Sequence, residues 1–166
     1  MLALFDKWKR YLLLPAALFV AVGLGTGCGD KDKGPGPDNG GGVDAQITFT
    51  LDGTQRTSDI CLANYMVDEV LTSITSGDGM SWTLLFEFPG SGTGSFSTAG
   101  GATASLTLAP YWYEAETFTV TVSAYGGIGG AVKGTFSGTL VNIADDDDRK
   151  QVTNGTFTAE RLPNVR

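Results

Sequence analysis

Histidine is absent from all 166 residues of the chain. Its absence removes the commonest general base, the commonest metal ligand and the one side chain that titrates near neutral pH. Cysteine is almost absent, with Cys28 and Cys61 the only two. Two thiols are too few for a thiolate zinc site, and a cysteine nucleophile would have no histidine to take its proton. Charged residues are sparse at 17%, and they leave a net charge of −7. A surface of that sign repels phosphate backbones, which argues against nucleic acid as a partner, and it repels anionic lipid as well. These absences together point away from an enzyme and toward a binding module.

Only one apolar run is long. Residues 11–24, YLLLPAALFVAVGL, follow a short segment bearing Lys7, Lys9 and Arg10. A positive stretch before an uncharged one has the layout of a signal peptide. Counted to Gly27, the uncharged run falls short of the about 20 residues that a spanning helix needs, and Pro15 interrupts it. The basic flank holds that end in the cytoplasm, so the rest of the chain is expected to be exported. The seam Leu24-Gly25-Thr26-Gly27-Cys28 resembles a bacterial lipobox, in which small residues precede a cysteine that becomes lipidated. The resemblance implies cleavage before Cys28 and attachment of several palmitate-type acyl chains there. Two or more chains give stable anchoring, at about 0.8 kcal/mol per buried methylene. Glycine at position 29 resembles the sorting signal for the outer membrane, so the expected address is the outer membrane or cell surface of a Gram-negative bacterium.

Residues 28–43 form the expected linker. GDKDKGPGPDNGGGV at 29–43 holds six glycines and two prolines and almost nothing apolar. Such a segment buries too little surface to offset its ordering entropy. Its DKDKG piece fails as a calcium loop, because the twelfth position counted from Asp30 is Gly41 rather than an acid. The division is therefore a signal peptide at 1–27, a linker at 28–43 and a folded domain at 44–166.

From Asp44 onward the hydrophobic period is 2. In AQITFTL at 45–51, Ala45, Ile47, Phe49 and Leu51 share one face, and Asp52-Gly53 follows as a turn signal. In MSWTLLFEF at 80–88, Met80, Trp82, Leu84, Phe86 and Phe88 share a face, and Pro89 ends the run. Residues 67–76 are expected as its partner strand, with SGDG at 76–79 as a hairpin loop of two or four residues. Further strands are expected at 104–109, 117–125, 131–143 and 154–162, with a weaker one around 55–65. Only YMVDEVL at 65–71 competes as a short helix. About eight strands joined by Gly, Asp and Asn turns predict an all-β fold, an antiparallel β-sandwich, with a small up-and-down β-barrel as the alternative. The barrel would enclose a dry cavity among Trp82, Phe86, Phe118 and Phe136, where a sandwich would pack side chains.

VKGTFSGTL at 132–140, VTNGTFTAE at 152–160 and LDGT at 51–54 resemble segments of a loose group of uncharacterised bacterial lipoproteins with small β-sandwich domains. In that group the two Gly-Thr-Phe segments are paired C-terminal strands. The resemblance implies a fold and no activity.

Two places are candidates for binding. Tyr111-Trp112-Tyr113 with Glu114 sets aromatic faces beside a carboxylate, the means by which glycan modules grip sugar rings and protein interfaces anchor themselves. The structural alternative puts Trp112 in the core with both tyrosines half exposed at a strand edge. Asp145, Asp146, Asp147 and Asp148 form the most charged run, expected in a hairpin loop. There a weak calcium ion would relieve the repulsion between carboxylates, or else Arg149 and Lys150 neutralise them in solvent. Glu114 and Glu116, as residues i and i+2, point in parallel and make a poor glycosidase pair. GGIGG at 126–130 is not followed by the lysine of a phosphate loop. Cys61 is expected as a small buried hydrophobe. The function expected is a membrane-anchored lipoprotein whose domain binds a protein or a glycan. The alternatives are a lipocalin-like carrier of a hydrophobic ligand and a carboxylate-based hydrolase.

Overall fold

The structure is a computed structural model, and it describes residues 42–166. The expected signal peptide, Cys28 and most of the linker lie outside the described residues. The domain is all-β. Ten strands run β1 (Gln46–Leu51), β2 (Thr54–Ser58), β3 (Cys61–Met66), β4 (Leu71–Gly77), β5 (Trp82–Pro89), β6 (Gly94–Ser97), β7 (Thr103–Leu108), β8 (Tyr111–Tyr125), β9 (Ala131–Asn142) and β10 (Asp145–Arg161).

Pairing joins all ten in one continuous, mainly antiparallel sheet, which folds over into two facing layers. One holds β2, β1, β10, β9, β8 and β6, and the other holds β3, β4, β5 and β7. The long strands β8 and β10 belong to both. The first residues of β8 pair with β7, and the last residues of β10 pair in parallel with β3 at Glu160↔Leu62 and Arg161↔Ala63. Hydrogen bonds therefore join the layers at both edges, while side chains fill the space between them. Phe86 of β5 meets Phe118, Phe136 and Phe157 of the opposite layer at ring-centroid distances of 5.5, 5.1 and 5.3 Å. Trp82 meets Phe49 edge-on at 5.2 Å. The dry cavity that a barrel would keep among Trp82, Phe86, Phe118 and Phe136 is occupied by those rings. Phe49, Phe86, Phe88 and Phe118 are all fully buried, and each contributes about 2–3 kcal/mol of hydrophobic transfer.

Local chemistry explains most of the connections. Asp52 and Gly53 take φ of 47° and 83°, the two left-handed positions of the tight turn that Asp-Gly favours, and Leu51 pairs with Thr54 across it. The β4–β5 loop is Asp78–Ser81, four residues long and two positions later than the SGDG reading, because the Asp78 carboxylate caps it. That carboxylate accepts from the backbone N–H of Met80, Ser81 and Trp82 at 3.0, 2.7 and 3.0 Å. The expected strand at 67–76 begins only at Leu71, since residues 67–70 turn, and the competing helix at 65–71 does not form. The weak strand at 55–65 is two strands that part at Asp59-Ile60. β6 lay hidden in a Gly/Ser-rich stretch.

At the C-terminal end, Arg161 is 5% exposed between the rings of Tyr65 and Tyr125, each 5.8 Å away. Its guanidinium donates to the carbonyl of Leu162 and to Asn164 Oδ1. These contacts tie the tail beside β3, where Leu162 N donates to Ala63 O at 2.8 Å.

Candidate functional site

The tyrosine–tryptophan run opens β8, just after a β7–β8 turn through Ala109 and Pro110, whose peptide bond is cis. The register across that turn is Leu108↔Tyr111, Thr107↔Trp112, Leu106↔Tyr113 and Ser105↔Glu114. On the other edge of β8, Tyr113 faces Asn142 and Glu114 faces Val141, and Ile143 N donates to Trp112 O at 3.0 Å.

Side-chain direction reverses the expectation for this run. Trp112 is 42% exposed, whereas Tyr113 is 2% exposed. Phe118, Val120 and Val122 point inward from the same strand, and strict alternation from them would bury Trp112. A bulge at Glu116, between Ala115↔Leu140 and Thr117↔Thr139, inserts one residue and switches the parity. Upstream of it the odd-numbered residues face the core. The bulge also turns Glu116 toward Arg149, with Oε2 3.3 Å from Nε. An exposed ridge of two tyrosines therefore does not exist. Tyr111, at the rim, is 54% exposed, and the open aromatic face belongs to Trp112 with Ile143 beside it, 61% exposed. Glu114 shares the outward face of Trp112 and is half-buried.

The aspartate run is not a simple loop. Ile143-Ala144 makes the turn, and Asp145 already pairs with Asn142 as the first residue of β10. Pairing resumes at Arg149↔Val141, so Asp146, Asp147 and Asp148 bulge from the ladder. Asp148, half-buried, turns back toward β8. Its Oδ2 accepts from Tyr113 Oη at 2.7 Å and from Asn142 Nδ2 at 3.1 Å, and Lys150 Nζ is 3.0 Å from Oδ1. Lys150 also reaches Asp52 Oδ2 at 3.4 Å and lies over the Tyr113 ring at 5.5 Å. The Tyr113 hydroxyl, the Asn142 amide and Lys150 hold the Asp148 carboxyl down to about 2. Burial and the Asp148 carboxylate push the Tyr113 hydroxyl up, and the neighbouring carboxylate raises Lys150. Arg149 donates to the carbonyl of Asp146. No three acids or cysteines among the described residues gather to hold a metal ion. Asp148 serves as an acceptor for Tyr113, Asn142 and Lys150.

Cys61 is free and fully buried, and burial pushes its thiol up to about 12. Sequence reasoning missed Ile143 as part of the open patch. The signal was there, since Leu140 and Asn142 point inward and the next residue past the strand end is apolar with no core to enter. Comparison with protein-family models, with curated proteins and with solved structures gave no match.

Proposed function

We propose that the chain is an exported bacterial lipoprotein, held by acyl chains at Cys28 to the outer membrane or surface of a Gram-negative cell, and that its sandwich binds a protein partner. The observation that carries the binding reading is the Trp112–Ile143 pair. Tryptophan is the residue most enriched where interfaces concentrate their energy, and here it lies in the open beside an aliphatic neighbour, with Tyr111 at the rim. Burial of an indole in a partner's pocket contributes about 2 kcal/mol or more. The absence of histidine supports a binding role over a catalytic one. The lipid anchor is supported by the signal-peptide layout and the lipobox-like seam.

A glycan is the second reading. Trp112 and Glu114 share a face with Thr107 and Ser105 directly opposite them, so a ring-stacking surface adjoins a carboxylate and two hydroxyls.

A photo-crosslinking residue placed at Ile143 in cells tests the first reading, with one at Thr119, exposed further along β8, as control. The expected result is a discrete adduct at 143, absent at 119 and lost on Trp112→Ala. No adduct at 143, together with quenching of Trp112 fluorescence by a soluble glycan, would replace the protein by the glycan. Intact mass of the N-terminal fragment from membranes tests the anchor, and an unmodified Cys28 thiol would overturn it.

A further inference from the structure

A groove of about 630 Å³ opens where β10 exchanges one neighbour for another. β1 pairs with β10 as far as Gln46↔Thr158, and β3 takes over at Leu62↔Glu160. Before Gln46 the chain curls away from the ladder, Ala45 N donating to Val43 O at 2.8 Å. Ala45, Ile60 and Leu62 give the groove an apolar lining, and Ile60 is 58% exposed. Asp44, Asp59 and Glu160 stand along the same groove. Each ion pair among the described residues joins Arg149 or Lys150 to Glu116, Asp52 or Asp148, so none of these three carboxylates is ion-paired within that part of the chain.

The wall is fixed before any ligand arrives. Ser58 Oγ donates to Gly77 O at 2.7 Å and accepts from Ile60 N at 3.0 Å, and Ser76 Oγ donates to Ile60 O. Ser58 and Ser76 are buried, so these bonds hold the Asp59-Ile60 backbone in place.

We propose that this groove docks an extended segment of a partner protein carrying lysine or arginine between aliphatic residues. The charge complementarity is direct, since three carboxylates with no ion-pair partner among the described residues meet cations. Long basic side chains lay their methylene stems on apolar surface while the charged head reaches outward, which suits an Ile60–Leu62 lining with acids beside it. An extended backbone suits a cleft that follows a strand edge. The groove lies at β1 and β3 and the Trp112 patch at the start of β8, so this site is independent of the function proposed above.

The test is titration of the intact, detergent-solubilised protein with a blocked pentapeptide alternating leucine and lysine, followed by calorimetry. Saturable binding is expected, weakened at least tenfold by Asp59→Asn with Glu160→Gln and at least threefold by Ile60→Ser. The same charge change at Asp145→Asn with Asp147→Asn should leave affinity unchanged. A leucine–glutamate peptide should not bind. Absence of saturable binding, equal loss in both acid pairs, or spermidine binding as tightly as the lysine peptide would each overturn the proposal. Amide shifts in the unaltered protein give a reading that no folding defect can mimic. Shifts confined to Asp44, Ile60, Leu62 and Glu160 support the site, and shifts elsewhere overturn it.

Discussion

Gly155 of β10 lies directly opposite Phe136 of β9, and a Cβ at position 155 would come within 2.7 Å of the Phe136 ring and 2.5 Å of its carbonyl oxygen. The relationship recurs: Gly134 faces Phe157 and Gly138 faces Phe118, with ring atoms 2.8 and 3.0 Å from the missing Cβ. Each glycine points into the core and leaves the floor on which a neighbouring strand's ring lies flat. The repeated Gly-Thr-Phe is thus one device used twice, the glycine of each strand receiving the phenylalanine of the other. Gly155→Ala should therefore lower stability by about 2–3 kcal/mol through overpacking. Gly92→Ala, where nothing lies within 4 Å, should change it little. Urea unfolding of both checks this, and equal midpoints would remove the explanation.

Asp148 gives the fold an acid-sensitive contact. Its carboxyl is held at about 2 by Tyr113, Asn142 and Lys150, below the unfolded value of about 4. A depressed folded value means that the unfolded chain binds more protons in that window. The contribution is complete above about pH 4 and is lost as pH falls toward 2. Tyr113→Phe removes the donor that matters most, so the stability–pH curve should become flatter between those limits. An unchanged acid limb would show that the hydroxyl does not set it.

Glu87 acts in the opposite direction. It is half-buried on β5, and burial pushes its carboxyl up, with the charge of Glu69 adding to the rise and the hydroxyls of Ser73 and Thr103 opposing it. Here the folded state binds the extra proton. Its contribution is fully present below the unfolded value and is lost as pH rises through the folded one. Glu87→Gln should accordingly raise the melting temperature at pH 7 and leave it nearly unchanged at pH 4. A lower melting temperature at pH 7 would mean that the ionised carboxylate is an acceptor the fold needs.

The all-β class, the Asp52-Gly53 hairpin and the inward faces of β1, β5 and the second half of β8 were legible as alternation, because each buries one side and wets the other; Met80 is the exception, since it lies in the loop before β5 and is 92% exposed. Trp112 and Tyr113 were not, because a bulge carries no compositional mark and yet inverts every side chain beyond it. The direction of Asp148 was illegible for a related reason. Four identical residues offer no hint of which one turns toward Tyr113, since that choice is made by the distance between β8 and β10. β6 escaped because Gly94, Ser95 and Ser97 read as a turn, and only pairing with Thr119–Val122 makes them a strand.

Arg56 places a charge where the sandwich edge would otherwise be adhesive. Among the described residues β2 pairs only with β1, and nothing pairs with its other edge. Arg56 stands opposite Phe49, which is fully buried, so it points to the core side at the margin of the layer, and its buried Nε has no hydrogen-bond partner among the described residues. An inward charge on an edge strand discourages another strand from pairing there, because docking would desolvate the guanidinium further. Removing an unsatisfied donor relieves about 1–3 kcal/mol. Arg56→Leu should therefore raise the urea midpoint of the monomer while promoting concentration-dependent association in sedimentation velocity. A variant that is less stable and still monomeric would mean that the guanidinium anchors β2 and does not guard it.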